Sequence, residues 1–247
     1  MRIAMRIVFI GFLAWLTGCG PPPSRVRVSD LDRSRIPAIR VGLVTGQASV
    51  RAGGTGRFRV RDLASGENLG ESSRGRMWFM AAEGAWVEVT SPDDTSAGLF
   101  SGPVRLQPLE RGGRIRVSGR EYRGVIDIVP EGGLLNVVNE VDLENYLRGV
   151  VPVEIGRLKA SQIAAVKAQA IAARTYALAN RGRRKTRGFD IYASVDDQVY
   201  QGFAVETRLS DAAIAETHGV VASYKGRMIS PFYSSTCGGR TENIHEA

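Results

Sequence analysis

The sequence predicts an α+β fold, a strand-rich N-terminal part followed by a mixed region with one long buried helix. Three observations predict it. Short apolar alternations cut by glycine and charge fill residues 38–130. A helical period then appears in 142–150 and again from Ser161 to about Asn180. Apolar residues make up 43% of the 247, enough for a real core.

The N-terminus sets the compartment. Arg2 and Arg6 precede an apolar run from Ile7 to Leu16, which has the charged start and short apolar centre of a secretory signal. The run is too short to span a bilayer comfortably. It ends in Leu16-Thr17-Gly18-Cys19, which looks like a bacterial lipobox, where the cysteine is lipidated and becomes the new N-terminus. The competing reading is a plain signal peptide with a chance cysteine. Residues 1–18 are accordingly expected to be a lipoprotein signal peptide, with lipidation at Cys19. The chain would be exported and lipid-anchored to the cell envelope. Gly20 is not the aspartate linked to inner-membrane retention, so an outer-membrane address stays open. With Cys19 lipidated, Cys237 has no partner for an intramolecular disulfide.

Residues 19–36 read as a tether, whose stretch 20–36, rich in Pro, Ser, Arg and Asp, reaches roughly 55 Å at about 3.3 Å per residue. The formal net charge is +8, which favours an anionic partner. Export and tethering make nucleic acid a poor one, so none is expected. Anionic lipid headgroups and cell-wall polymer suit the same charge better.

The body, 37–247, divides at about residue 130. In the strand-rich part, 37–130, the runs 39–46, 57–60, 77–81, 85–90, 104–109, 114–119 and 124–129 read as strands. Between them Gly53-Gly54-Thr55-Gly56, Ser65-Gly66, Pro92-Asp93-Asp94 and Gly112-Gly113 are turn chemistry. The 53–56 cluster lacks the following Lys-Ser/Thr and helix start of a phosphate loop, so it reads as a turn.

In the second part, 131–247, LLNVV (134–138) is a strand and DLENYLRGV (142–150) a short helix starting near Asp142. Pro152 is expected to prevent regular helix through 150–153. The long helix starts at Ser161, a plausible N-cap, and buries Ile163, Val166, Ala170, Ile171, Ala173, Ala177 and Leu178. Lys167 and Arg174 fall on one side of it, where a solvated face is the simple reading. Arg181–Arg187 reads as a solvated basic loop or as a holder of anionic polymer or lipid. Residues 210–219 fit a helix ending at Gly219, and 219–235 a hairpin turning at Lys225-Gly226.

One carboxylate stands out. Glu154 lies in an apolar run with Val150, Val151, Val153 and Ile155, just before the long helix. Apolar surroundings disfavour the charged form of a carboxyl, which suits a general acid. The alternative is a connection whose glutamate faces water.

Four motifs then occur in order over 136–242: NEVDLENYLRGVVPVEI, AVKAQAIAARTYAL, QVYQG and ETHGVVASYKGRMISPFYSSTCGGRTE. Together they resemble the stage II sporulation protein D / amidase enhancer (SpoIID/LytB) family. SGREYRG (118–124) fits the family's N-terminal part more loosely. The resemblance implies a peptidoglycan lytic transglycosylase that cuts the bond between N-acetylmuramic acid and N-acetylglucosamine and leaves 1,6-anhydromuramyl ends. It implies Glu154 as the catalytic residue and Arg174 as a second functional position, with Lys167 and Gln169 as supports in substrate binding. The expected partners are peptidoglycan glycan strands, the membrane through Cys19, and a peptidoglycan amidase. The alternative from a different class is a non-catalytic wall-binding module that enhances an amidase.

Some family members carry His and Cys just before the QVY motif, with zinc proposed there. Here those positions are Asp196 and Asp197, and Ser234 replaces a further histidine. A site from Cys237, His218 and Asp197 is the one zinc reading left. No metal and no cofactor is the expectation. Cys237 reads as a small packed thiol. The chain ends at IHEA, where related chains continue, and is expected to be truncated there.

Overall fold

A computed structural model describes the backbone of residues 27–30 and the whole of residues 37–233. The signal segment, Cys19, Ser234, Cys237 and His245 lie outside them.

In chain order the strands are β1 (Arg27–Asp30), β2 (Ala38–Gln47), β3 (Ser49–Gly54), β4 (Phe58–Asp62), β5 (Asn68–Ser72), β6 (Met77–Glu83), β7 (Trp86–Thr90) and β8 (Ser96–Phe100). They continue with β9 (Val104–Pro108), β10 (Ile115–Val117), β11 (Arg120–Tyr122), β12 (Val125–Glu131) and β13 (Leu134–Asp142). The helices α1 (Leu143–Ile155) and α2 (Ile163–Ala179) follow, then β14 (Ile191–Tyr192), α3 (Arg208–Glu216), β15 (Val220–Tyr224) and β16 (Arg227–Met228). The fold is α+β, as the sequence predicts.

Seven strands form one sheet in the order β14-β2-β13-β12-β9-β4-β5, and six a second in the order β11-β10-β3-β6-β7-β8. Alternating residues of both enter one core, where Phe58, Met80, Leu106, Ile126 and Leu135 are fully buried. β13 is central and buried along most of its length, which explains its nearly continuous apolar run. Its polar exceptions are satisfied. Asn139 donates to the carbonyls of Arg123 and Val125, both at 2.9 Å. Asp127 is buried in β12, where Arg105 contacts both of its oxygens at 2.7 and 2.9 Å and Arg40 adds a third bond at 2.9 Å.

Four local expectations are corrected. Gly53 and Gly54 belong to β3 and pair with Arg116 and Ile115. They are glycine because of close approach: a Cβ on Gly53 would stand 2.2 Å from the Arg76 carbonyl oxygen, and one on Gly54 2.4 Å from Phe58. Part of the expected tether is a strand, since β1 pairs antiparallel with β15 in a three-stranded sheet completed by β16. α1 runs through Pro152 to Ile155. Proline removes one i→i−4 bond, and here only the last turn follows before the helix ends at Gly156 (φ 72°). Ser161 does not cap α2. It lies in a single 3₁₀ turn, Ala160–Gln162, closed by the Lys159 N–H donating to Gln162 Oε1 at 3.0 Å.

Asp142 caps α1, its side chain accepting from the N–H groups of Glu144 and Asn145 at 3.0 and 3.1 Å. α2 packs against both α1 and α3. Ala170, Ala173 and Ala177 are fully buried there, and their small side chains let neighbouring backbones come close. The hairpin β15–β16 turns at Lys225-Gly226, as expected, with φ of 49° and 77°.

Candidate active site

Glu154 sits in the last turn of α1, half-buried, with Val150 and Val151 fully buried one turn before it. Its Oε1 accepts the Val199 N–H at 2.7 Å. Among the described residues Oε2 has no hydrogen-bond partner. One oxygen is therefore held and the other is available.

The segment that supplies Val199 is itself pinned. Tyr200 is buried between Tyr122 and Tyr146, with ring centroids 5.6 and 4.9 Å away, and its hydroxyl donates to Asn139 Oδ1 at 2.9 Å. The Gln201 N–H donates to the Gly149 carbonyl of α1 at 3.1 Å. Gly202 has φ 74°, and a Cβ there would lie 2.5 Å from the Glu121 carbonyl oxygen. These contacts fix residues 199–202 against α1, so the Val199 N–H meets Glu154.

A polar chain lies beside the carboxylate. The Tyr146 hydroxyl donates to Gln198 Oε1 at 3.1 Å, and Gln198 Nε2 donates to the Tyr233 hydroxyl at 2.6 Å. Burial pushes the Tyr146 and Tyr233 hydroxyls up, and the nearby Glu154 charge adds to both shifts. Both hydroxyls thus keep their protons and can donate. Tyr233 accepts from Gln198, which leaves its own proton free for another acceptor.

Asp197 closes the far side. It accepts from the Tyr176 hydroxyl at 2.9 Å, the Tyr192 N–H at 2.8 Å and the Arg184 guanidinium at 2.8 Å. Burial, then this hydrogen bond and the Asp197 charge, push the Tyr176 pKa up to about 12. Arg184 is thereby part of the packed structure, and Arg187 pairs with Glu131 at 3.0 Å, so the basic run is not simply a solvated loop.

Arg174 requires a correction. It makes no hydrogen bond to Glu154. It is fully buried, and its Nε and Nη2 donate to the two oxygens of Glu144, each at 2.7 Å. Its Nη1 donates to the Val220 carbonyl at 2.9 Å. This ion pair ties α2 to α1 and to β15. Lys167 pairs with Glu216 of α3 at the surface. Gln169 does face the site: its Nε2 is buried without a satisfactory partner among the described residues, and it lies near enough to lower the Tyr233 pKa. The sequence alone does not single out Gln198, Tyr233 or Tyr146 as site residues. Their one signal was membership of the QVYQG, SPFY and LENYL segments.

Of the residues in the zinc reading, Cys237 lies outside the described residues and Asp197 is engaged elsewhere. Asp196 accepts from Ser194 Oγ at 2.7 Å, and both Asp197 oxygens are already bonded. Among the described residues no three His, Cys, Asp or Glu side chains converge on a metal position.

A cleft of about 660 Å³ opens next to the end of α1. Pro152, Val153 and Ile155 form one wall, and Gln201, Val205 and Thr207 contribute to the rest. Glu154 does not line it, so the cleft flanks the carboxylate instead of covering it.

Residues 131–224 match the model of the SpoIID family, stage II sporulation protein. That span of the chain is similar to the SpoIID family. Glu154, Gln198 and the helices around them all lie in that span. The chain is 33% identical over 154 residues to the amidase enhancer of Bacillus subtilis, covering 60% of this chain and 20% of that protein. It is 34% identical over 128 residues to an uncharacterized protein of Brachyspira hyodysenteriae, covering 51% of this chain and 34% of that protein. The chain thus spans about a third of the length of one relative and a fifth of the other. No solved structure matches it.

Proposed function

We propose that the SpoIID domain is a lytic transglycosylase of peptidoglycan glycan strands. The observation that carries this is the Glu154 carboxylate beside a cleft, with Oε1 fixed by the Val199 N–H and Oε2 without a partner among the described residues. Ordinary glycosidases use two carboxylates, one as acid and one as nucleophile or base. A transglycosylase needs one. Protonated Glu154 donates to the glycosidic oxygen as the bond from muramyl C1 to that oxygen breaks. The resulting carboxylate takes the proton of the muramyl C6 hydroxyl as that oxygen bonds to C1. The proton returns to Glu154, and a 1,6-anhydro end is left. The Tyr233 hydroxyl, protonated and next to Gln198, is placed to donate to substrate or carboxylate oxygens.

The second reading is a non-catalytic module that binds the wall and assists an amidase. The Bacillus subtilis relative's name and the net charge of +8 favour it. Incubation with purified glycan strands and mass spectrometry separates the two. Anhydromuramyl ends support the enzyme, whereas binding without such ends supports the module.

The sequence of residues 1–19 supports export and a lipid anchor at Cys19, which would hold the domain at the envelope beside this substrate.

A further inference from the structure

A second cleft, about 340 Å³, lies in the strand-rich part. Its charged lining is Arg74, Arg111, Arg114 and Arg116 against Glu110 and Glu121. Glu121 is spent on two of the arginines, accepting from Arg114 at 3.0 Å and Arg116 at 2.6 Å. Glu110 accepts the Arg57 N–H at 3.2 Å. Arg74 and Arg111 are exposed and have no ion-pair partner among the described residues. With four arginines against two glutamates the notch is net positive, and Arg74 and Arg111 are its exposed cations. Gly75 (φ 81°) and Gly112 (φ 77°) form part of its wall with open space where a side chain would stand, so a ligand can approach the backbone.

The notch connects to the candidate active site through one residue. The Arg114 guanidinium lies 3.9 Å from the centre of the Phe203 ring. Phe203 begins the 3₁₀ turn Phe203–Val205, whose next two residues line the cleft beside Glu154. Arg114 of the notch thus touches the turn that lines the cleft.

We propose that this notch is a carboxylate subsite for the glycan strand, a reading that rests on the function proposed above. Planar guanidinium forks match carboxylates in geometry as well as charge. The strand offers carboxylates from two sources. Peptide-bearing strands carry them on the stems, and strands stripped of peptide expose the lactyl carboxylate of each muramoyl residue. Chitin oligosaccharides have a related β-1,4 backbone and no carboxylate.

The test is binding by the full chain carrying Glu154→Gln, which prevents turnover. The probes are peptide-bearing strands, stripped strands, chitin oligosaccharides and a poly(glycerol phosphate). At least one carboxylate-bearing strand should bind about fivefold or more tighter than chitin oligosaccharides, the order expected of one or two accessible charge pairs. Arg74→Ala/Arg111→Ala should remove that difference and leave chitin binding unchanged. Which strand loses affinity identifies the carboxylate source. Equal binding of charged and neutral strands, a difference that survives in the double variant, or a stronger arginine-dependent preference for poly(glycerol phosphate) would each overturn the proposal. Failure to find anhydromuramyl ends with the unmutated chain would count against the catalytic reading and leave this binding result standing.

Discussion

At the residue scale, Arg174 shows how a spacing argument can mislead. Seven residues from Lys167, it shares a helix face with it, and the simple expectation is a solvated or substrate-facing pair. The structure sends Lys167 to Glu216 and buries Arg174 on Glu144, thirty positions away. A partner that distant in sequence leaves no periodic trace. The usable hint was an arginine set among alanines that are themselves fully buried. Arg174→Ala should destabilise the domain by about 3–5 kcal/mol in urea unfolding, because Glu144 is left charged and largely buried. Arg174→Lys should recover only part, since an ammonium cannot hold both Glu144 oxygens in the same way. Tyr176 gives a pH test. Its pKa is raised from 10.0 to about 12, so its contribution to stability is complete below pH 10. The contribution is lost as pH rises from about 10 to about 12, where the unfolded chain loses the proton first. Tyr122, Tyr146, Tyr200 and Tyr233 are raised as well and share the alkaline loss. Tyr176→Phe should therefore make the decline shallower without abolishing it.

At the element scale, the strongly patterned strands were legible and the weak ones were not. Strands such as RFRV and WVEVT alternate over a buried face. β3, β5 and β8 are rich in glycine and serine, and β11 is only three residues long, so their own patterns are faint. They are strands because stronger neighbours offer them an edge. The end of α1 was misjudged for a related reason. Pro152 is disfavoured in an isolated helix, but here the buried Val150 and Val151 and the contact from Gln201 to Gly149 hold that turn in place. Gly149 is the tightest point of the contact. A Cβ there would lie 2.4 Å from the Tyr200 ring and 3.0 Å from the Gly202 carbonyl oxygen. Gly149→Ala should cost about 1–3 kcal/mol from overpacking. It should also weaken glycan cleavage, because moving residues 199–202 moves the N–H that holds Glu154. Thermal unfolding and product assays together separate the two effects.

At the scale of the whole molecule, the pairing of β1 with β15 shortens the expected stand-off from a membrane. Only residues 20–26 then separate Cys19 from the folded body, a reach of at most roughly 23 Å. With that anchor, Cys19→Ser should move the protein from the membrane fraction to the aqueous phase on detergent partitioning, with unchanged cleavage of soluble strands. Retention in the membrane fraction would count against lipidation. The division into strand-rich and mixed parts and the location of Glu154 were readable from sequence. The polar chain Tyr146–Gln198–Tyr233 was not, since it joins three segments that meet only in the folded protein. The central claim is that one carboxylate performs both proton transfers. Glutamine at 154 keeps an acceptor for the Val199 N–H but has no proton to give. The direct measurement is the rate at which Glu154→Gln and the unmutated chain release anhydromuramyl products from purified glycan strands. The account predicts a loss of about 10²–10⁴-fold with an unchanged unfolding midpoint. A folded Glu154→Gln variant that cleaves at the unmutated rate would contradict it.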